Sequence, residues 1–555
     1  MRRFLQYMCL AFLTLFLGVF LLLPVFTVIK SGCDPALIME VFRNRFYGEG
    51  LLNSLSVAVV TTLMVAAISL PLALLYDRFD FPGKQWCSLS VLLPMILPPF
   101  VGALGFKQLL GHYGVLNAIL TACGMERVDF LGGEGIFWSV CFIEALHLYP
   151  VFYLNLVTAL GNIDPALSEA AANMGASRWT RFIKIRFPLL RSGFLAGGSI
   201  VLVWSFTELG TPLMFGYTRV MPVQVFNGLN ELENNPLPYA LVLIMLTVSA
   251  VLYLLTKFVF GSNQNNSAVK GTMGSSAHKL ISWKKYLPLA AFALVTLLAV
   301  LPHLALLGKA FSTRYYDTVL PEKLTLIHFD NALSNPLVLP SIVNSLRYSL
   351  LAMVIAVTVG VLTSLASVRW KLRGAGVLDL LSMLPLAVPG IVVAFGFLGM
   401  TSQYSWAKML FNPVENPLWL LGIAYAVRRI PYVVRSVGSG LEQTPEELEN
   451  AARNFGAGPV RVIFKITLPL IVANLLVGGL FAFSFSMLEV SDSLILAQKA
   501  IFFPITKALL ELSQILGFGP GAACAFGVWS MLFLGMTLIA AGLLLGRKIG
   551  AIFKF

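Results

Sequence analysis

Charged residues are scarce in this chain of 555 residues: they make up 12% of it, hydrophobic residues make up 58%, and the mean hydropathy is +0.83. Apolar runs of about 20 residues recur from one end to the other, which excludes a soluble globular protein. The alternating segments of about 10 residues that a transmembrane β-barrel requires are missing. The sequence therefore predicts an all-α polytopic membrane protein.

Sequence motifs for nucleotide hydrolysis, catalysis or metal binding are also missing. The phosphate-binding pattern GxxxxGK[ST] does not occur, so we expect no ATP hydrolysis by this chain itself. The six cysteines and five histidines show no metal-ligand spacing, and no pairing of a nucleophile with a base is visible. We expect no catalytic residue, no metal site and no cofactor bound by this chain. A disulfide between Cys33 and Cys123 is one possibility that the sequence leaves undecided, because sequence does not show which cysteines lie close together.

Basic residues exceed acidic ones by 39 to 26, but their placement argues against nucleic acid as a partner. They cluster in short polar segments between apolar runs, as the positive-inside rule describes. Arg2 and Arg3 near one end and Arg547 and Lys548 near the other predict that both termini are cytoplasmic. The adjacent Arg428 and Arg429 fall within a predicted span: either they face the bundle interior or the boundary there is misplaced.

The apolar runs predict twelve membrane helices in two groups of six. They are expected at about 4–29, 51–75, 86–110, 136–160, 188–215 and 239–260, then at 286–307, 344–367, 377–400, 417–437, 469–496 and 523–545. A segment rich in Gly, Ser and Asn at 261–285 separates the groups and should be a flexible tether. The predicted domains are a first repeat at 1–260, this linker, and a second repeat at 286–555.

A polar stretch between helices identifies the repeat. EAAANMGASRWTRFIKIRFP (Glu169–Pro188) has a counterpart 281 residues later, NAARNFGAGPVRVIFKITLP (Asn450–Pro469), and Ala170, Ala171, Gly175, Ile185 and Pro188 are among the residues that match in one register. Asn53 and Pro94 have equivalents at an offset of 291. Since six helices separate equivalent points, the repeats are expected to be parallel, related by an axis along the membrane normal. Pro94, Pro98, Pro385 and Pro389 are expected to kink helices.

Each copy is interpreted as a short helix, a glycine turn and a second short helix on the cytoplasmic surface. Asp164 or Ser168 could cap the first helix. Pro188 suits the first turn of the following membrane helix. An interfacial helix without a partner protein is the alternative, but the repeated spacing disfavours it.

The pattern EAA, three residues, Gly, nine residues, Ile and then Pro resembles the EAA loop of ABC importer permeases of type I. The resemblance covers nearly the whole chain, as two fused permease domains, and implies a coupling loop at 164–188 and another at 445–469. It implies as partners two copies of a cytoplasmic ATP-binding subunit, which would hold ATP and Mg, and a periplasmic substrate-binding protein. The chain would sit in the lipid of the bacterial inner membrane. The residues carried over to ATPase docking are Glu169, Ala170, Ala171, Gly175, Asn450, Ala451, Ala452 and Gly456.

The second copy departs from the motif, because Asn450 replaces its glutamate. Glu449 is adjacent but would point about 100° away around a helix. If the motif carboxylate pairs with a basic residue of the ATPase, the two docking sites are unequal.

Polar groups inside spans are candidates for a gate or a translocation lining. Glu208 and Glu489 are equivalent, and each lies 20 residues after the motif's proline, which places it near the outer end of its helix. Gly210 with Pro212 should break the first of these helices. Alternatively, each carboxylate satisfies a broken helix end or a neighbouring helix. The remaining candidates are Ser205, Thr207, Ser484 and Ser486.

The substrate follows from resemblance alone. The run Glu-Leu-Gly-Thr-Pro (208–212) and the fusion of two permeases resemble ferric-iron importers; permeases for thiamine, aminoethylphosphonate and polyamine or sulfate have similar motifs. A secondary transporter driven by an ion gradient is an alternative of another class. Asp77-Arg78 is faintly similar to that class but lacks a counterpart in the second half. A membrane-embedded enzyme or scaffold is a third reading, disfavoured because the acidic candidates form a symmetric pair.

Overall fold

The computed structural model describes residues 2–96, 99–231, 235–260, 278–280 and 282–545. Most of the expected linker, Pro98, Arg547 and Lys548 lie outside this range. Within it the chain is almost entirely helical, which confirms the predicted class. Strands occur as two short pairs: Phe79–Asp80 runs parallel to His278–Lys279, and Ser312–Arg314 runs antiparallel to Glu322–Leu324.

The predicted spans correspond to helices in the described residues. Eight are long and apolar enough to cross a membrane, and counting each of three bent pairs as one span gives eleven. The twelfth is Leu418–Gln443, which is 26 residues long but carries Arg428, Arg429 and Arg435. The charges in this helix, and not its length, distinguish it from the other spans.

The polypeptide forms two compact units, each described here by itself. The first-loop unit consists chiefly of Gly50–Val220 and Val248–Leu324 and contains the first coupling loop. Its helices and helical segments are Arg45–Arg78 (from Gly50 onward), Lys84–Ser90, Leu93–Ile96, Pro99–Leu110, Val115–Ala122, Gly135–Gly161, Pro165–Asn173, Arg178–Arg181, Phe182–Arg186, Phe187–Leu189, Arg191–Phe206, Gly210–Phe215, the end of Leu237–Phe260, Ser282–Lys285 and Tyr286–Ala310.

The second-loop unit consists of Met1–Glu49, Met221–Thr247 and Thr325–Ile552 and contains the second coupling loop. Its helices and helical segments are Arg2–Leu17, Gly18–Leu22, Leu23–Gly32, Pro35–Arg43, Met221–Asn227, Gly228–Glu231, the start of Leu237–Phe260, Ile327–Ser334, Val338–Ser364, Leu365–Arg369, Ala375–Met383, Leu384–Leu386, Gly390–Gln403, Ser405–Leu410, Leu418–Gln443, Glu447–Asn454, Pro459–Val462, Ile463–Thr467, Leu468–Leu470, Val472–Met487, Ser491–Leu496, Ala500–Phe502, Ile505–Gln514 and Gly519–Leu545.

The first helix of each predicted repeat packs with helices of the other repeat. In the second-loop unit, Leu23–Gly32 packs on Gly390–Gln403, where a Cβ on Gly396 would lie 2.5 Å from the carbonyl oxygen of Pro24. In the first-loop unit, Tyr286–Ala310 packs on Pro99–Leu110, with Gly105 directly against the backbone of Pro302. The compact units therefore combine segments of both halves of the sequence.

Equivalent glycines allow close packing of the helix that follows each coupling loop. A Cβ on Gly197 would lie 3.1 Å from Cα of Phe152, and a Cβ on Gly478 would lie 3.2 Å from Cα of Val433. Both pairs are equivalent at an offset of 281. Small residues at such contacts favour helix association in lipid, where no hydrophobic effect drives it.

The repeated Asn-Ser pair has a structural role. Nδ2 of Asn53 donates to the carbonyl of Arg219 at 2.8 Å, and Nδ2 of Asn344 donates to the carbonyl of Ile501 at 2.8 Å. Each asparagine thus holds the loop that follows the broken helix. In the second copy the backbone N–H of Ile505 also donates to Oγ of Ser345.

Two further sequence expectations are met. The bent pair Ala375–Leu386 and Gly390–Gln403 turns by 105° at the segment containing Pro389. Helix Arg191–Phe206 ends, and a new helix begins at Gly210, as predicted. The disulfide is not formed: Cys33 and Cys123 are exposed free thiols.

Candidate functional site

The first coupling loop begins with helix Pro165–Asn173. Its N-cap is Asp164, whose Oδ1 accepts a hydrogen bond from the N–H of Ala166 at 2.9 Å. This decides between the two capping residues considered from the sequence, because a side-chain oxygen at the N-cap satisfies a free backbone donor. The second loop begins with Glu447–Asn454, whose N-cap makes no such side-chain bond.

Both helices end in the same glycine turn. Gly175 has φ +81° and Gly456 has φ +83°, and each N–H donates at 2.9 Å to a carbonyl three residues earlier. The next N–H closes a second bond at about 3 Å, from Ala176 to Ala171 and from Ala457 to Ala452. A Cβ at either glycine would meet no atom within 4 Å, so backbone conformation and not lack of space requires glycine.

The second limb of each loop shares a further irregularity. Phe182–Arg186 and Ile463–Thr467 both form a single π-helical turn, at equivalent positions. Such turns are rare and often occur at functional sites. The duplication therefore extends to backbone geometry.

The surface that the loops present is partly apolar. Glu169, Ala170, Asn450 and Ala451 are exposed, whereas Ala171 is buried. The residue before each glycine is a large apolar side chain that is almost fully exposed: Met174 at 83% and Phe455 at 93%. These two residues are equivalent at an offset of 281, and their matched exposure is typical of a contact that a partner completes.

Glu449 is not exposed beside Asn450 but is buried beneath the second loop. Its Oε1 lies 2.9 Å from Nε of Arg369, and Oε2 accepts a hydrogen bond from Arg453 at 3.0 Å. The hydroxyl of Thr467 donates to Oε1 at 3.0 Å. Glu449 thus ties the loop to the inner end of helix Val338–Ser364 and its π-helical extension, and the exposed position is left to Asn450.

Asn450 has an internal partner as well. Its Oδ1 accepts a hydrogen bond from Nη1 of Arg453 at 2.6 Å. Arg453 therefore links the two side chains. Unequal docking of the two loops stays a prediction. Whether Glu169 pairs with an ATPase residue stays a prediction.

The first loop is tied down through different residues. Nη1 of Arg186 lies 3.4 Å from Oδ2 of Asp77, and both side chains are between a quarter and a third exposed. Arg186 is equivalent to Thr467 and Asp77 to Val368, so this pair has no counterpart in the second repeat. Asp77, considered above for its faint similarity to secondary transporters, here contacts the coupling loop.

The candidate gate residues of the first-loop unit lie at a helix break. Oε1 of Glu208 accepts hydrogen bonds from the N–H groups of Gly210 at 3.1 Å and Thr211 at 3.3 Å, at the start of the new helix. The hydroxyl of Ser205 donates to the buried Glu144. Thr207 donates to the carbonyl of Val203 at 2.9 Å.

Their equivalents in the second-loop unit have different partners. Glu489 is buried between two guanidinium groups, with one carboxylate oxygen at Arg428 and the other at Arg429. Asp492, fully buried, lies 3.8 Å from Arg428. The two arginines therefore face the helix bundle, which decides between the alternatives left by the sequence. We call these four residues the charge cluster; it is formally neutral.

The two serine candidates beside the charge cluster differ in their hydrogen bonding. Oγ of Ser484 lies 3.1 Å from the hydroxyl of Thr537. Oγ of Ser486 is buried without a hydrogen-bond partner in the described part of the chain. Ser486 is equivalent to Ser205, but Tyr425 stands where the first repeat has Glu144 and bonds Ser493 instead, at 2.6 Å. Within each unit, the described hydrogen bonds link the gate candidates to different groups.

Sequence reasoning missed several of these residues. Glu144 was detectable as a lone carboxylate within a predicted span, and Met174 and Phe455 as large apolar residues before equivalent glycines. Asp492 was detectable only through its proximity to Glu489. Among the described residues, no group of three or more His, Cys, Asp or Glu side chains could hold a metal ion.

Tandem helical repeats with matched polar loops define a duplicated polytopic membrane protein. The model of the family "binding-protein-dependent transport system inner membrane component" matches residues 81–261 and again 356–542. The chain belongs to this family and contains its domain twice. It is thus a multi-pass inner-membrane transport component.

Curated relatives have the same fused organisation or half of it. The chain is 25% identical over 470 residues to the ferric transport system permease protein FbpB of Actinobacillus pleuropneumoniae, covering 82% of this chain and 64% of that protein. It is 25% identical over 505 residues to a putative ferric transport system permease of Haemophilus influenzae, covering 87% and 76%. A probable molybdenum ABC transporter permease of Haloferax volcanii is 30% identical over 233 residues, covering 42% and 82%.

Proposed function

We propose that this chain is the membrane conduit of an ATP-driven importer, with ferric iron as its substrate. An external binding protein delivers the substrate, and two copies of a separate ATP-binding subunit, which hold ATP and Mg, dock on the two coupling loops. Both termini are cytoplasmic in this arrangement. The observation that carries the proposal is the repetition, at one offset, of the glycine turn, the π-helical turn and the exposed apolar residue.

The coupling role follows from the rigidity of the loops. Each glycine turn fixes the angle between two short helices, and an ion pair ties each loop to the inner end of a membrane helix. A displacement of Met174 or Phe455 by the ATP-binding subunit would therefore be transmitted to the membrane helices, because packed elements connect the loop to them. A change of conformation driven from outside requires such a connection.

The charge cluster and the helix break at Glu208 are proposed to lie along the translocation route. Glu208 and Glu489 stand at helix breaks, where polar backbone must line a cavity or be buried in protein. Glu489 is compensated by two arginines and the cluster is formally neutral, so it offers a passing ferric ion no net negative charge. We assign this cluster the role of holding the broken helix and not of binding substrate.

The substrate assignment is supported by the ferric permeases among the relatives. An oxyanion is the second candidate, because molybdenum permeases match half of the chain. The alternatives named from motif similarity, including aminoethylphosphonate, belong to the same class of importer.

The test is reconstitution of the chain with its ATP-binding subunit and its binding protein in proteoliposomes. We expect uptake of radioactive ferric ion that requires both ATP and the loaded binding protein. Uptake of molybdate without uptake of ferric ion would change the assigned substrate and leave the assignment as an ATP-driven importer unchanged. Uptake that survives without ATP and collapses with the proton gradient would indicate a secondary transporter and contradict the proposal.

A further inference from the structure

The second limb of the first coupling loop carries a concentration of positive charge. Arg178, Arg181, Lys184 and Arg186 lie on this limb, and Arg78 is close enough for the charges of three of them to repel its own. We call these five residues the limb basic surface. Asp77 offsets one charge through its contact with Arg186, and Glu169 lies on the preceding helix of the same loop.

Large apolar side chains stand among these charges. Trp179 is 70% exposed and stacks on Phe182, with ring centroids 6.0 Å apart, and Ile183 is also exposed. A short helical segment with exposed Trp beside Arg and Lys is typical of a helix lying in the membrane interface, where aromatic rings insert at the level of the headgroups.

The limb also has the position that such a helix needs. Arg178–Arg181 runs through the π-helical turn and Phe187–Leu189 into helix Arg191–Phe206 with no intervening loop. In the second repeat, the equivalent limb Pro459–Leu470 makes an angle of 78° with its membrane helix. A limb at this angle to a helix that crosses the membrane lies close to the membrane plane, and we infer the same orientation for the first limb because it has the same glycine turn and π-helical turn.

Arg181 has unused hydrogen-bonding capacity. Its Nη1 donates to the carbonyl of Ser168 across a long 3.4 Å, and its buried Nε has no partner in the described part of the chain. An anionic oxygen would satisfy this donor, since guanidinium groups bind phosphate in a bidentate manner.

The second limb is a natural comparison, because it has the same backbone and carries two basic residues, Arg461 and Lys465, where the first limb has four. Pro459, Val462 and Thr467 stand where the first limb has Arg178, Arg181 and Arg186. Lys465 is retained at the position of Lys184. The docking geometry common to both loops therefore does not require the basic residues of the first.

We propose that the limb basic surface binds the phosphate headgroups of anionic phospholipids in the cytoplasmic leaflet, through Arg178, Arg181 and Lys184 with Trp179 inserted beside them. The bound lipid anchors the first coupling loop to the membrane, whereas the second loop is anchored by its buried ion pair. The inference does not depend on the identity of the transported substrate.

The experiment uses the full chain in nanodiscs of phosphatidylcholine with or without phosphatidylglycerol, in the absence of ATPase. Retained phosphatidylglycerol is counted by native mass spectrometry, and brominated phosphatidylglycerol quenches Trp fluorescence. Because the chain has nine tryptophans, we expect the quenching to decrease in Trp179→Phe and not to disappear. The double variant Arg178→Gln with Lys184→Gln should retain phosphatidylglycerol about 30-fold less tightly, at about fivefold for each charge near a membrane surface.

The matched control is Arg461→Gln with Lys465→Gln, which removes two positive charges from the second limb. We expect this control variant to retain phosphatidylglycerol as the unmodified chain does. On gel filtration, both double variants should elute at the same volume as the unmodified chain. Equal losses in the two variants would overturn the proposal in favour of a general effect of net charge. Unchanged lipid retention in the first variant would also overturn the proposal. If a separate assay with added ATPase then shows lost ATPase binding, the basic residues contact a protein partner.

Discussion

Arg369 and Glu449 form a buried ion pair beneath the second coupling loop, with Nε 2.9 Å from Oε1 and each side chain at most 7% exposed. Nη2 of Arg369 also donates to the carbonyl of Thr444 at 2.8 Å, so the guanidinium group spans the start of the loop. The corresponding pair of the first loop, Asp77 and Arg186, is longer and more exposed. The two coupling loops thus share a backbone and differ in how firmly they are held.

The first prediction concerns Glu449→Gln. The substitution leaves the buried Arg369 with Glu446 as its acidic partner, which is half exposed and 3.8 Å away. Because breaking a buried ion pair costs about 3–5 kcal/mol, a large part of that cost is expected here. We expect the second loop to open locally, seen as faster amide hydrogen exchange across Glu447–Asn454, with a lower midpoint of thermal unfolding.

Asp77→Asn is the matched change in the first loop. Because a partly exposed ion pair contributes only about 0–1 kcal/mol, we expect little effect on exchange or thermal unfolding. Equal effects of the two substitutions would show that burial does not distinguish the two pairs.

The second prediction concerns the glycine turns. Gly175→Val and Gly456→Val place a β-branched side chain at positive φ, where a residue with a Cβ costs about 1–2 kcal/mol or more. We expect each variant to reach the membrane at normal levels and to lose ATP-dependent uptake, because the two short helices no longer meet at the required angle. Unimpaired uptake in both variants would contradict the coupling role.

Gly376→Val controls for this substitution. Gly376 lies near the start of helix Ala375–Met383, and a Cβ there meets no atom within 4 Å. Its backbone is right-handed, so valine is tolerated and uptake should persist. Loss of uptake in this variant as well would assign the effect to bulk rather than to backbone conformation.

The third prediction concerns the exposed residues Met174 and Phe455. Burying such a side chain in a protein contact contributes about 1.5–3 kcal/mol, so serine at either position should weaken ATPase binding about 10- to 100-fold. The measurement is the affinity of the purified ATP-binding subunit for the chain in nanodiscs.

Leu516 supplies the comparison, since it is 94% exposed and lies outside both coupling loops. Leu516→Ser should leave the affinity for the ATPase unchanged. If Met174→Ser and Phe455→Ser also leave it unchanged, these side chains are not docking contacts.

Periodicity and repetition predicted the helices, the duplicated loops and the glycine turns, because these features depend on local sequence. The contacts that tie each loop down were not predictable in this way. Arg369 and Glu449 are 80 residues apart, and the first repeat, with Arg78 and Ser168 at the equivalent positions, gave no hint of their pairing. The same holds for Arg428 and Glu489, which only tertiary packing brings together.

The fourth prediction concerns this charge cluster. Glu489→Gln leaves Arg428 and Arg429 with Asp492 as their nearby carboxylate, and the unbalanced buried charge should cost about 3–5 kcal/mol. Combining it with Arg429→Gln restores neutrality, so the double variant should unfold at a higher temperature than Glu489→Gln alone. The thermal midpoint of unfolding, followed by intrinsic fluorescence in detergent, measures this difference.

Glu208→Gln is the control and should change the midpoint little, because glutamine keeps an acceptor oxygen for Gly210 and Thr211. Strictly additive effects of the two substitutions in the double variant would show that Glu489 and Arg429 are not energetically coupled.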